Sequence, residues 1–423
     1  MQMNPSYIQD RPFPWSAASV AQARRGLWAD SLIVLALLVV SGHVIFTEGG
    51  QAEPGLVVLA VLFTALLEWR RRFIPRPVFV ATLVIFGIIQ TWQAISLEYL
   101  PLVTFIGFFA RLYVAYAAVC LVRDFPRVYV NVMVVVCLWS LCFYIPDQLS
   151  QALGLDFRNT FDVLHRLIGA QVEYRYDIGL YNFQIKYDHR NSAFFWEPGA
   201  FAGAILMAIV FLWLAKSRVS RRDYGISLAI FCATIVTTFS TMGYIVLPIA
   251  LCLHMTSMIG VSRKKLQAMV LLICLLPAAW FIAAAIWKLE FLSTKVHTEL
   301  SRVESQELTG GGGRLASFFF HEPYIRARPV MGWGRNMKTY LLLDPYLEHN
   351  PAGGNGLLRF VHEMGLAGLL TFLALTAANM HALTKRRVTE TVLIMAVIIL
   401  TLQGEEFLTG AFFLAFMYLR PER

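Results

Sequence analysis

The chain is 423 residues long, 57% hydrophobic and only 15% charged, with a mean hydropathy of +0.59. No soluble domain of that length has such a composition, so the class is a polytopic membrane protein. The formal net charge of +9 does not point to nucleic acid, because the basic residues sit largely in short clusters between apolar runs and form no stripe with interleaved aromatics.

Taken in order, the apolar runs lie at 28–46, 54–69, 78–97, 100–122, 128–145, 192–215, 224–240, 243–260, 266–287, 356–380, 388–403 and 406–419. A helix needs about 20 apolar residues to cross a bilayer, and these runs predict an all-α fold of about twelve transmembrane helices. The last two runs leave a choice: Gln403-Gly404-Glu405-Glu406 is a tight turn between two spans, or the final run lies in the interface. Met1 to Gly26 is polar and has no A-x-A-like site, which predicts no cleaved signal peptide. All six cysteines fall within apolar runs, as small core residues would, with neither a disulfide framework nor zinc spacing.

Alternate loops carry Arg70-Arg71-Arg72 with Arg76, then Arg123 and Arg127, Lys216 to Arg222, Arg263-Lys264-Lys265 and Lys385-Arg386-Arg387. The loops between them (Thr47 to Glu53, Leu97 to Leu100, Ser240 to Gly243) hold no lysine or arginine. The positive-inside rule makes the first set cytoplasmic, and both termini with it. The chain then divides into a five-span bundle (1–145), a first extracytoplasmic loop (146–191), central spans (192–287), a second extracytoplasmic loop (288–355) and C-terminal spans (356–423).

In the first loop, Phe157, Phe161, Leu164 and Ile168 recur at helical spacing, which predicts an amphipathic helix on the membrane surface. Alternation of Val172, Tyr174 and Tyr176 with Tyr181, Phe183, Ile185 and Tyr187 around Gly179 predicts a short hairpin. The second loop opens with Leu292, Val296, Leu300 and Val303 on one helical face, which Gly310 to Gly313 then break. That glycine run reads as a hinge; it lacks the preceding strand and the Lys-Ser/Thr continuation of a P-loop.

Arginine is the recurrent element of both loops: Arg158, Arg166, Arg175, Arg190, Arg302, Arg314, Arg326, Arg328 and Arg335. Guanidinium groups bind phosphate bidentately and stay charged at any accessible pH, so the cluster suits a lipid-borne diphosphate; ion pairs with loop carboxylates are the structural alternative. Arg111, near the middle of the fourth run, is costly there and is a functional candidate or a partner of Glu405 or Glu406. Groups that could move a proton are Glu197, His349, Glu322, His321 and His189, of which Glu197 and His349 rank first. Glu197 also reads as an interfacial glutamate beside a proline kink, and His349-Asn350-Pro351 as a plain turn. No carboxylate or histidine spacing suggests a metal, so the chemistry is predicted to be metal-independent, without a cofactor.

Two stretches carry a family resemblance. Arg190 to Ala202 (RNSAFFWEPGAFA) resembles the "R…G.F.EP..FA" segment of bacterial O-antigen and exopolysaccharide polymerases. Arg314, Pro329 to Gly334 (PVMGWG), His349-Asn350 and Asn355 to Gly368 (NGLLRFVHEMGLAG) resemble their C-terminal signature. Thr237 to Gly243 is similar to a "T.S..G" turn, with Thr241 where the family often has arginine.

The resemblance implies a GT-C-type membrane glycosyltransferase of the bacterial inner membrane with its active site facing the periplasm. Polymer on undecaprenyl diphosphate is the implied donor and a lipid-linked repeat unit the acceptor, with membrane lipids, a flippase and a chain-length-regulating co-polymerase as companions. Arg190, Arg314, Arg328 and Arg335 would hold diphosphate, and Glu197 and His349 would compete as base. An O-antigen ligase of the same superfamily is the nearest rival reading, and a lipid-sugar transporter the rival from another class.

Overall fold

The computed structural model describes residues 17–42, 52–70, 75–168, 171–172, 175–185, 189–258, 314–343 and 355–420. The apolar run at 266–287, the Gly310–Gly313 run and His349 lie outside the described residues.

The chain is mainly helical, and local chemistry marks where the helices begin. The first five are α1 (Ala17–Gly42), α2 (Ala52–Trp69), α3 (Pro77–Ser96), α4 (Leu102–Leu121) and α5 (Phe125–Ala152). Proline stands in the first turn of α3 and of α5, where its missing N–H costs nothing. The Asp124 carboxylate caps α5 by accepting from Arg127 N at 3.3 Å. The first loop contains α6 (Asp162–Ile168), and after it come α7 (Pro198–Leu214), α8 (Arg221–Thr238) and α9 (Thr241–Met258). The second loop contributes α10 (Arg314–Ala327) and α11 (Met337–Tyr340), and the C-terminal part α12 (Gly356–Leu383), α13 (Val388–Gly404) and the single turn α14 (Ala411–Leu414).

Among the described residues, α3, α4, α5 and α12 are long and apolar enough to cross a membrane. Their outward faces are apolar, as at Val103 (71% exposed) and Val135 (66%), which suits lipid and not water. The centre of the bundle is α7, whose residues from Pro198 to Trp213 are all buried, so it is apolar all round. It packs against α5, α8, α9 and α13.

Three expectations change on contact with the structure. The run at 192–215 is helical only from Pro198; residues 189–197 form turns and a bridge between Phe183 and Asn191. The last run, 406–419, is neither a straight helix nor interfacial: two 3-10 turns flank α14, and Phe407, Leu408 and Ala411 to Leu419 are buried. It runs the length of the bundle, from Glu406 beside Arg359 near the start of α12 to Tyr418, which packs on Phe79 and Tyr116 at the opposite end. Irregular backbone at that depth is tolerable only when wrapped in protein, as this segment is.

The third change is in the first loop. Phe157 and Phe161 do not lie on a surface helix; they pack edge-on and tilted against Phe183 in the loop's own small core, across a 3-10 turn (Arg158–Phe161) that interrupts the helix. The hairpin is as expected: β2 (Arg175–Asp177) pairs antiparallel with β3 (Asn182–Gln184), with Gly179 in the turn at φ +86°, and β1 (Gln171–Val172) adds to β2. Arg158 ties the loop to α5 through both oxygens of Asp147, at 2.9 and 3.0 Å.

Candidate functional site

The site is built on a break in α12. Gly365 has φ +67° and ψ 179°, a conformation open to glycine alone, and it interrupts the helix nine residues after Gly356, where the helix begins. A broken helix frees backbone groups, and here the segment Pro329–Gly334 takes them up. Trp333 N and Gly334 N donate to the carbonyls of His362 and Glu363 at 2.9 Å each, while Leu366 N and Ala367 N donate to Pro329 O and Val330 O at 2.8 and 3.0 Å. Gln93 from α3 locks the joint by donating its amide to Glu363 O at 2.8 Å and to Met331 O. Gly332 (φ +67°) and Gly334 (φ +74°) permit the approach; a Cβ at 332 would lie 2.6 Å from Gly365 N.

This joint aims a charged cluster into the protein. Arg359 Nε donates to Glu363 Oε1 at 2.8 Å, one turn along α12, and its other arm meets Glu406. Arg335 Nε stands 3.8 Å from the same Glu363 oxygen, with its side chain 29% exposed against 11% for Arg359. Arg359 is therefore committed to its carboxylates, whereas Arg335 holds them loosely. Glu405 lies against Gly199 in the first turn of α7 and against Gly356 at the start of α12; a side chain at either glycine would collide with it. Carboxylates favour such a helix start, where backbone N–H groups point outward.

A cleft opens beside the cluster, between the α3–α4 corner and the second loop. Arg111, Arg335, Glu363 and Gln93 supply its polar lining; Leu97, Leu100, Phe105 and Phe108 supply an apolar wall. Arg111 is only 5% exposed. Trp333 also lines the cleft; Arg328 lies over its ring at 5.4 Å and donates to Ser96 Oγ. Burial pulls the Arg328 guanidinium below its usual range, though a guanidinium stays charged.

Behind the joint, α10 packs on α12 through an aromatic layer. His321 and His362 meet Nδ1 to Nδ1 at 2.8 Å, each 1% exposed, with the His362 ring stacked on Tyr324 at 4.5 Å. Burial, helped by the Arg359 charge and opposed by Glu363, pushes His321 down to about 4. Tyr340 donates its hydroxyl to Gly334 O at 2.9 Å, and burial beside Glu363 raises it far above the usual phenol range.

Of the residues singled out from sequence, Arg111 and Arg335 share the cleft, Arg328 stands at its Trp333 wall, and Arg314 begins the helix that packs on α12. Arg190 and Glu197 are not stacked on one helix. Arg190 Nε donates to Thr238 O at 3.3 Å, at the end of α8, while Glu197 is exposed at the head of α7 and makes no capping bond. Between them, Asn191 bonds Ser140 and Thr237 at 3.1 and 3.0 Å and fixes the first loop to α5 and α8. Glu197 nevertheless borders the charged cluster, since Trp196 approaches Phe407 at 6.4 Å and Glu405 touches Gly199.

Arg359, Glu363 and Gln93 were not singled out. Their signal was present: Arg359 and Glu363 are an i, i+4 pair inside an otherwise apolar run, which is expensive unless both are used. No protein-family model matches the chain, and no curated protein is similar enough to count as a relative.

Proposed function

We propose that this chain is an integral-membrane glycosyltransferase that joins lipid-diphosphate-linked oligosaccharide repeat units, in the manner of the bacterial O-antigen and exopolysaccharide polymerases it resembles. The observation that carries this reading is the joint itself. Two stretches chosen for their resemblance to one signature, PVMGWG and NGLLRFVHEMGLAG, dock backbone to backbone and line a cleft with Arg111, Arg335 and Glu363. A cleft with an apolar wall and arginines suits a substrate that is part isoprenoid and part diphosphate.

In this reading the cleft end of the bundle faces the periplasm. The acceptor sugar hydroxyl attacks the anomeric carbon of the donor, the bond from that carbon to the diphosphate oxygen breaks, and lipid diphosphate leaves. Arg335, loosely held, and Arg111 stabilise the charge that builds on the leaving group, with Arg328 at the rim. Arg359 keeps Glu363 and Glu406 in place and is not itself a phosphate ligand. Glu197, exposed at the head of α7, takes the acceptor proton.

The test is chain extension by purified protein in liposomes supplied with lipid-linked repeat units. Longer lipid-linked glycans are expected, and their absence at Arg335→Ala with normal protein level supports the assignment. Transfer only to a lipid core acceptor makes the protein a ligase; movement of intact units across the bilayer without extension makes it a transporter.

A further inference from the structure

The first loop contains a feature that the glycosyl-transfer reading does not use. Its hairpin does not stand above the bundle but hangs down along α5. The indole N–H of Trp139 donates to Leu180 O at 3.3 Å, and Phe143, one turn further on, stacks on Tyr181 at 5.0 Å and 19°. Arg127 in the first turn of α5 is exposed, and the next charged side chain along the helix is Asp147, buried against Arg158. Twenty residues of helix rise about 30 Å, the thickness of a bilayer's hydrocarbon layer. Trp139 lies eight residues before Asp147, so the hairpin tip bonded to it sits about 12 Å below that upper boundary.

The tip has the composition such a depth requires. Ile178 is buried and Leu180 is 55% exposed, and the exposed side chains along α5 that lead to it, Val135, Leu138, Trp139 and Ile145, form one apolar stripe. Part of the polar backbone of the turn is occupied. Gly179 N donates to Asp177 Oδ1 at 2.7 Å, Ile178 N to Tyr181 O at 3.0 Å, and Leu180 O accepts from Trp139.

We infer that the β2–β3 hairpin dips into the bilayer, with Leu180 in contact with phospholipid acyl chains beside Trp139. The occupant is lipid because the Leu180 surface continues the apolar stripe that α5 presents to lipid. The dip holds the first loop, and with it Asn191 and Arg190, at a fixed position against α5 and α8. It rests on the membrane-spanning reading of α5.

Photo-crosslinking separates the two. Benzoylphenylalanine is placed singly at Leu180, at Val135 in the mid-stripe, and at Arg326, whose side chain is 84% exposed on α10. Each protein is reconstituted in vesicles of phosphatidylethanolamine and phosphatidylglycerol and irradiated, and the adducts are weighed by mass spectrometry. Phospholipid adducts several-fold more abundant at 180 and 135 than at 326 are expected. Adducts at 135 but not above the 326 level at 180, or adducts at 180 to a second copy of the chain, overturn the dip and leave the membrane-spanning reading standing. Yields at 135 no higher than at 326 overturn both.

Discussion

Replacing Gly365 by alanine tests the joint on which the site is built. The residue has φ +67° and ψ 179°, and a Cβ there would overlap the Val330 carbonyl and lie 2.6 Å from Met331 N. An L-residue in that region costs about 1–3 kcal/mol in backbone strain alone. The obstacle is backbone, so no side chain can swing aside, and the Pro329–Gly334 segment must retreat. Retreat breaks some of the four backbone bonds across the joint, all between 2.8 and 3.0 Å. A buried donor or acceptor left unpaired costs about 1–3 kcal/mol, so losing two of them brings the total to roughly 3–9 kcal/mol. Thermal or denaturant unfolding in detergent measures the loss, and hydrogen exchange localises it: the amides of Trp333, Gly334, Leu366 and Ala367 should exchange faster. Gly87→Ala in α3 is the control, since a Cβ there meets nothing within 4 Å. Equal stability and equal exchange for the two variants would refute the account of the broken helix.

Three other outcomes follow from the same geometry. Arg359→Ala should destabilise by about 3–5 kcal/mol, because it takes the main partner from the buried Glu363 carboxylate and the partner from the half-buried Glu406; a denaturant titration reads this directly. Arg335→Ala should change stability by less than about 1 kcal/mol, as expected for a loose, partly exposed pair, yet abolish chain extension in the liposome assay. Full activity in that variant would remove Arg335 from the diphosphate site. The third concerns acid. His321 is held down to about 4, so between its ordinary value of 6.5 and about 4 the unfolded chain binds the proton and the folded one does not. Stability from this group is therefore complete above pH 6.5 and declines as pH falls, by up to about 3 kcal/mol near pH 4. His321→Asn should flatten that dependence in unfolding curves taken from pH 7 to pH 4; an unchanged slope would show that other groups set it.

Composition and periodicity were enough to identify a mainly helical chain with helices long and apolar enough to cross a membrane, and the first-loop hairpin, because apolar exposure and strand alternation act residue by residue along the sequence. The charged residues were legible as candidates for the same local reason: Arg111 is anomalous wherever the rest of the chain goes. What failed was anything that depended on how one segment meets another. Phe157 and Phe161 read as a surface face until Phe183 is seen to cover them, and 406–419 reads as a regular helix or an interfacial segment until its turns are found wrapped in the bundle.

The grouping of the site was decided the same way. From sequence, Pro329 to Gly334 is a glycine-rich turn and Gly365 a weak point in a helix; neither says that one completes the other. Backbone groups freed by a break can be satisfied only by a particular partner in space, and that pairing joins residues 29 to 37 positions apart. Sequence alone determined which residue types were available at the membrane boundary. Only the tertiary structure decided that Arg359 is consumed by carboxylates while Arg335 keeps its guanidinium toward the cleft, because the distances of 2.8 and 3.8 Å to one glutamate oxygen come from the fold.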